Sequence, residues 1–191
     1  MSRIIAGAAG GIVLAGVAGQ GTRPTTDRVK ESLFAKLEHW DAMAGCRVLD
    51  LYAGSGALGA EAASRGARRV TLVDVSAAAL KAAKTNAAKV NKALGESRVT
   101  VVKGRAPGIV RTLGGSWDLV FLDPPYPLEE DELRRCLDSL APHVAAGGVV
   151  VVERSSRSPE PDWPAGLERI DEKRYGETVL WFAEAVEVGA A

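Results

Sequence analysis

From residue 46 onward, short apolar runs rich in Val and Leu alternate with longer segments of helical periodicity, and this alternation restricts the possible folds more than any other feature. The strand-like runs are Arg47 to Tyr52, Arg69 to Asp74, Arg98 to Lys103, Asp118 to Leu122 and Gly148 to Glu153, with helical patterns at about 57–65, 76–92, 106–114 and 129–143. Strands without polar alternation are buried on both faces, and a helix between consecutive strands makes them parallel. The expectation is therefore α/β, an open doubly wound and mostly parallel sheet. The tail breaks the rhythm: Leu167 to Tyr175 and Thr178 to Phe182 flank Gly176-Glu177 and read as an antiparallel hairpin.

The first 45 residues follow another pattern. Ile4-Ile5-Ala6 and Ile12-Val13-Leu14 flank the glycine-rich Gly7-Ala8-Ala9-Gly10-Gly11, which reads as a β-hairpin. The stretch Ile4 to Thr22 has nineteen uncharged residues after Arg3, like a secretory leader, but six of them are glycine and the apolar runs are too short. A cytoplasmic hairpin is expected instead. Val29, Leu33, Leu37 and Trp40 then mark a helix at about 27–40, entered through Arg23-Pro24-Thr25-Thr26-Asp27. A chain of 191 residues suits one compact unit, divided here into an extension (1–45) and a main domain (46–191).

Charge is balanced overall but not along the chain. Residues 47–111 carry 12 basic and 4 acidic side chains, whereas 112–191 carry 7 and 16. One region is thus able to present a positive face to a polyanion. On the helix at 76–92, Lys81, Lys84, Lys89 and Lys92 share an arc opposite Leu80, Ala83, Ala87 and Val90, the pattern of a solvated face that is also available to RNA. Cys46 and Cys136 lie far apart, as do His39 and His143, so neither a zinc spacing nor a Cys–His nucleophile pair is present.

Val48-Leu49-Asp50-Leu51-Tyr52-Ala53-Gly54-Ser55-Gly56-Ala57-Leu58-Gly59 places a G-x-G-x-x-G loop between the first strand of the sheet and its helix, with Asp74 at the end of the next strand. A turn that merely seats a helix on a strand would also use these glycines. Asp50 separates the ligand classes: four residues before the first glycine, a carboxylate opposes a dinucleotide pyrophosphate but attracts the sulfonium and ammonium of S-adenosyl-L-methionine (SAM). The candidate cofactor contacts are Asp50, Ala53, Gly54, Ser55, Gly56, Asp74 and Val75, with the backbone of Arg105 and Ala106 beyond the third strand.

Leu119-Val120-Phe121-Leu122 runs directly into Asp123-Pro124-Pro125-Tyr126. A buried strand thereby delivers a carboxylate to the carboxyl edge of the sheet, where open α/β sheets bind ligands. The prolines fix φ and leave carbonyls as acceptors. An exocyclic amine on a nucleobase is a weak nucleophile, and two acceptors on its N–H groups would orient its lone pair toward a methyl donor while Tyr126 stacks on the base. A proline turn ahead of a helix N-terminus rich in Glu129, Glu130, Asp131 and Glu132 is the structural alternative.

These residues resemble the amino-methyltransferases that carry an Asn/Asp-Pro-Pro-aromatic motif. The chain more closely resembles the bacterial 16S ribosomal RNA guanine-N2 methyltransferase family of the RsmD type, over essentially its whole length. The similarity is carried by Arg3-Ile4-Ile5-Ala6-Gly7, Arg23-Pro24-Thr25-Thr26-Asp27-Arg28-Val29-Lys30-Glu31, the Leu49 to Gly59 loop, Asp123-Pro124-Pro125-Tyr126 and Lys173-Arg174-Tyr175-Gly176. The resemblance implies a Rossmann-like class I methyltransferase sheet, SAM as cofactor, and an acceptor amine held by Asp123 and Pro124. Arg23, Thr25, Thr26 and Arg28 are then the candidate contacts to 16S rRNA or a small-subunit particle, without metal or membrane. The chain departs from the family in having Ala8 to Val13 where basic and aromatic residues are usual, and Arg105 where an acid is common. Other readings of the same motifs are transfer to adenine N6 or to a protein glutamine, a non-catalytic RNA-binding assembly factor, and a nicotinamide-dependent oxidoreductase.

Overall fold

The computed structural model describes residues 2–18, 27–125 and 128–187. Seven strands form one sheet: β1 (Arg47–Leu51), β2 (Arg69–Asp74), β3 (Val99–Lys103), β4 (Trp117–Leu122), β5 (Val144–Ser155), β6 (Leu167–Tyr175) and β7 (Thr178–Ala185). Their order across the sheet is β3-β2-β1-β4-β5-β7-β6. The first five are parallel, and β7 is antiparallel to both β5 and β6. The helices are α1 (Asp27–His39), α2 (Ala57–Ser64), α3 (Ala77–Leu94), α4 (Gly108–Leu113) and α5 (Glu130–Leu140).

Alternate strand residues feed two cores, as a sheet covered on both faces requires. Val48, Val70, Leu72, Leu119, Phe121, Val149 and Val151 face α1, α2, α3 and the N-terminal segment. Leu49, Leu51, Val73, Val120, Leu122, Val150 and Val152 face the other way, against α4 and α5 through Val110, Leu133, Cys136 and Leu137. Ile4, Ala9 and Leu14 from the chain start are buried in the first of these cores.

Two expectations are adjusted. The N-terminal hairpin closes at a single antiparallel bridge, Arg3 with Val13, rather than along a ladder. Across the hairpin the Ile4, Gly11 and Leu14 amides go to the Ile12, Ile4 and Ser2 carbonyls, while the amides of Ile5 and Ala6 go to the Glu61 carboxylate and those of Ala8 and Ala9 to the carbonyl and hydroxyl of Ser64 on α2. Strand β5 also starts four residues before Gly148, and its register against β4 shifts between Trp117 and Leu119. Ala145-Ala146-Gly147-Gly148 lacks the branched side chains by which a strand is recognised, so this irregular start reads as a loop.

Candidate active site

The site follows from the sheet order. Strands β2, β1 and β4 are neighbours, and their register aligns Val73, Leu51 and Leu122 in one row. The next residues along the chain, Asp74, Tyr52 and Asp123, therefore emerge side by side at the carboxyl edge. Between β1 and β4 the helical connections diverge to opposite sides, which opens the crevice where ligands of such sheets bind. The two sequence motifs are thus brought together by the pairing of two central strands.

The glycine loop is held from both sides. The Ala53 amide donates to the Val73 carbonyl at 2.9 Å, and the Gly54 amide to Asp74 Oδ2 at 2.9 Å. Asp74 Oδ1 accepts from the Ser76 amide at 2.8 Å. Asp50, 1% exposed, accepts from the Gly59 amide at 3.0 Å and ties the start of α2 to β1. Two glycines serve different ends. A Cβ on Gly59 would lie 2.3 Å from a Leu72 methyl, so this residue lets the helix approach the sheet, whereas Gly54, at φ +56°, has open space where a side chain would stand. Tyr52 also adopts a left-handed backbone, at φ +61°, turning the chain from β1 into the loop.

Three carboxylates crowd this edge. Burial pushes the Asp50 carboxyl up to about 7, with Asp123 and Asp74 adding to the rise and the Gly59 amide opposing it. Burial likewise raises Asp123 to about 6. Pro124 is buried and Pro125 exposed. Tyr126 lies outside the described residues, as do Arg23, Thr25 and Thr26. Val75 presents an apolar side chain to solvent, 44% exposed, next to Asp74. Arg105 is exposed, its carbonyl accepts the Ile109 amide at 3.0 Å, and Ala106 is buried. Arg28 is exposed on the first turn of α1, and Lys81, Lys84, Lys89 and Lys92 are exposed along α3.

The donor set tests which small molecule fits. An acidic edge with an open glycine and an exposed valine suits a cationic nucleoside, because Asp50, Asp74 and Asp123 would oppose a pyrophosphate there. Among the described residues no group of three or more His, Cys, Asp or Glu is arranged to hold a metal, and no helix is long and apolar enough to cross a membrane.

Several contributors escape sequence reasoning. Lys30 and Glu61 are buried at 1% and 0% exposure and pair at 3.6 Å, and Glu61 also bonds Arg65 at 2.8 Å. Lys30 further donates to the Arg3 carbonyl. Arg154, buried on β5, reaches Glu130 and the Leu128 carbonyl just beyond the Asp123 loop. Asn86 is buried on α3. The available signal was a polar residue set within an apolar stripe: Lys30 beside Leu33 and Phe34, Glu61 within an alanine run, Asn86 between Ala83 and Val90.

A sheet in this order, with a glycine loop after β1 and an acidic residue closing β4, is the fold of the class I methyltransferases. The chain belongs to the family described as Conserved hypothetical protein 95, whose model matches residues 2–184. It is 34% identical over 181 residues to the Bacillus subtilis protein named "Putative rRNA methyltransferase YlbH", covering 92% of this chain and 95% of that one. It is 42% identical over 106 residues to the Escherichia coli "Ribosomal RNA small subunit methyltransferase D", spanning 56% of this chain and 50% of that one. The solved structure titled "Putative methyltransferase yhhF from Escherichia coli" superposes with a TM-score of 0.82 at 30% identity, covering 96% and 97% of the two chains.

Proposed function

We propose that this protein is a cytoplasmic SAM-dependent methyltransferase that modifies the exocyclic N2 amine of a guanine in 16S rRNA, free or within a small-subunit particle. The observation that carries the reading is the register of β1 with β4, which sets the glycine loop beside Asp123. The names of the relatives support the ribosomal RNA part.

When bound, SAM supplies a methyl group on positively charged sulfur. In this reading the Gly54 loop would hold its methionine part, Asp74 would accept the ribose hydroxyls with the lone pairs its backbone bonds leave free, and Val75 would offer an apolar surface to the adenine. Asp123 and the Pro124 carbonyl each accept one N–H of the target amine, which turns the nitrogen lone pair toward the methyl carbon. As the C–N bond forms and the C–S bond breaks, Asp123 is the acceptor for the proton the nitrogen sheds. The base is unpaired or flipped, because a stacked guanine does not reach the crevice. Arg23, Thr25, Thr26 and Arg28 hold phosphates near it.

The test is methyl transfer from labelled SAM to naked 16S rRNA and to small subunits, with mass spectrometry of the nucleosides. N2-methylguanosine is expected; N6-methyladenosine, or no label in RNA, overturns the assignment. Asp123→Ala should abolish transfer while cofactor binding by calorimetry persists. Near-normal turnover of that variant removes Asp123 from the acceptor role.

A further inference from the structure

The N-terminal segment is bonded to the two helices that follow the cofactor strands, and one buried side chain joins it directly to the glycine loop. Asn86 Oδ1 accepts the Ala15 amide at 2.7 Å, and its Nδ2 donates to the Ala15 carbonyl at 3.0 Å and to the Ser55 carbonyl at 2.8 Å. Ala15 is 71 residues away in sequence and Ser55 is 31. An asparagine kept only to satisfy its own helix would bond nearby; this one spends its amide on two separate segments.

The surroundings make that link selective. Ala83 and Ala87, small and buried on the same face of α3, let the segment approach closely, and Lys89 adds a bond to the Val13 carbonyl at 2.9 Å. On the other side Glu61 and Ser64 of α2 hold Ile5, Ala6, Ala8 and Ala9. Ala15 thus fastens the described N-terminal segment, residues 2–18, to α3. A shift of the Ser55 carbonyl would therefore pull on a buried amide whose other partner among the described residues is Ala15. Because a buried amide left unpaired is costly, the two ends move together or not at all.

We propose that Asn86 is a positioning residue that couples the cofactor loop to the N-terminal segment, so that a ligand seated on residues 54–56 tightens the segment around Ala15. By reciprocity, whatever holds the segment at Ala15 tightens the cofactor. The inference rests on the methyltransferase reading above, and its test separates the two.

Hydrogen exchange of peptides covering residues 2–18 is followed by mass spectrometry with and without S-adenosylhomocysteine, whose binding is measured by calorimetry. In the wild-type protein, exchange around Ala15 should slow about fivefold or more on binding, and in Asn86→Ala by less than about twofold. If Asn86→Ala does not fold, Asn86→Asp keeps the acceptor for the Ala15 amide and removes the donor to the Ser55 and Ala15 carbonyls, and should lose the ligand response. A purely structural Asn86 would alter basal exchange but not its response to ligand. Binding without any change at Ala15 in the wild type, or an unchanged response in a folded variant, overturns the coupling and leaves the methyltransferase reading standing. Absence of binding to the wild type defeats that reading first.

Discussion

Glu61→Gln is the substitution whose cost the structure specifies most fully. The wild-type carboxylate, fully buried, faces a Lys30 ammonium that is 1% exposed and an Arg65 guanidinium at 2.8 Å, and accepts the amides of Ile5 at 2.7 Å and Ala6 at 3.0 Å. A glutamine carbonyl retains one amide bond but leaves Lys30 without its buried counter-charge. Breaking one side of a buried ion pair costs about 3–5 kcal/mol. Set against a total stability of about 5–15 kcal/mol, that is a large share. With a urea slope of about 2 kcal/mol per M, the unfolding midpoint should fall by about 2 M, read from the fluorescence of the buried Trp117 and Trp181. The loss should also depend on pH. Burial lowers the Lys30 pKa below the usual 10.5, and Glu61 opposes that shift. Without Glu61 it drops further, so between this lowered value and 10.5 the unfolded state binds more protons and stability rises with pH. The deficit of Glu61→Gln should narrow from pH 7 toward pH 10, and Lys30→Met added to it should restore much of the midpoint. A shift under about 0.5 M, or a deficit that ignores pH, would refute the reasoning.

Two further outcomes concern the site. With Asp123 raised to about 6, the amine acceptor is protonated in acid, so kcat/KM should fall about tenfold per pH unit below that point and level off about one pH unit above it; a flat profile from pH 5 to 8 argues against a titrating carboxylate acceptor. Gly59→Ala places a methyl 2.3 Å from Leu72 and 2.8 Å from Val70, an overpacking expected to cost about 1–3 kcal/mol and seen as a melting temperature several degrees lower; an unchanged melting curve would mean α2 is free to lift off the sheet.

The parallel core was legible because its evidence is local. Runs such as Leu119 to Leu122 and Val149 to Val152 are apolar at consecutive positions, as a strand covered on both faces requires. The lysines of α3 and the prolines after Asp123 carry their meaning in the same way. What stayed hidden depends on partners distant in sequence. Nothing in the neighbourhood of Glu61 says that its oxygens receive amides from residues 5 and 6, and nothing near Asn86 announces Ser55 and Ala15. Tyr52 shows the same limit in the backbone: a bulky residue gives no hint of a left-handed turn, which the surrounding packing imposes as its hydroxyl is buried beside Cys136.

Strand β7 occupies an interior position, flanked by β5 and β6, although it follows both of them in the chain. The edge strand β6 leaves the ribosome earlier and has no neighbour to pair with until Thr178–Ala185 follows it out. A nascent chain lacking those eight residues exposes the flank of β5 with Val150 and Val152 unpaired, so the sheet stays open through the interval before Thr178–Ala185 emerges. Chaperone dependence during synthesis should accordingly concentrate on that late interval.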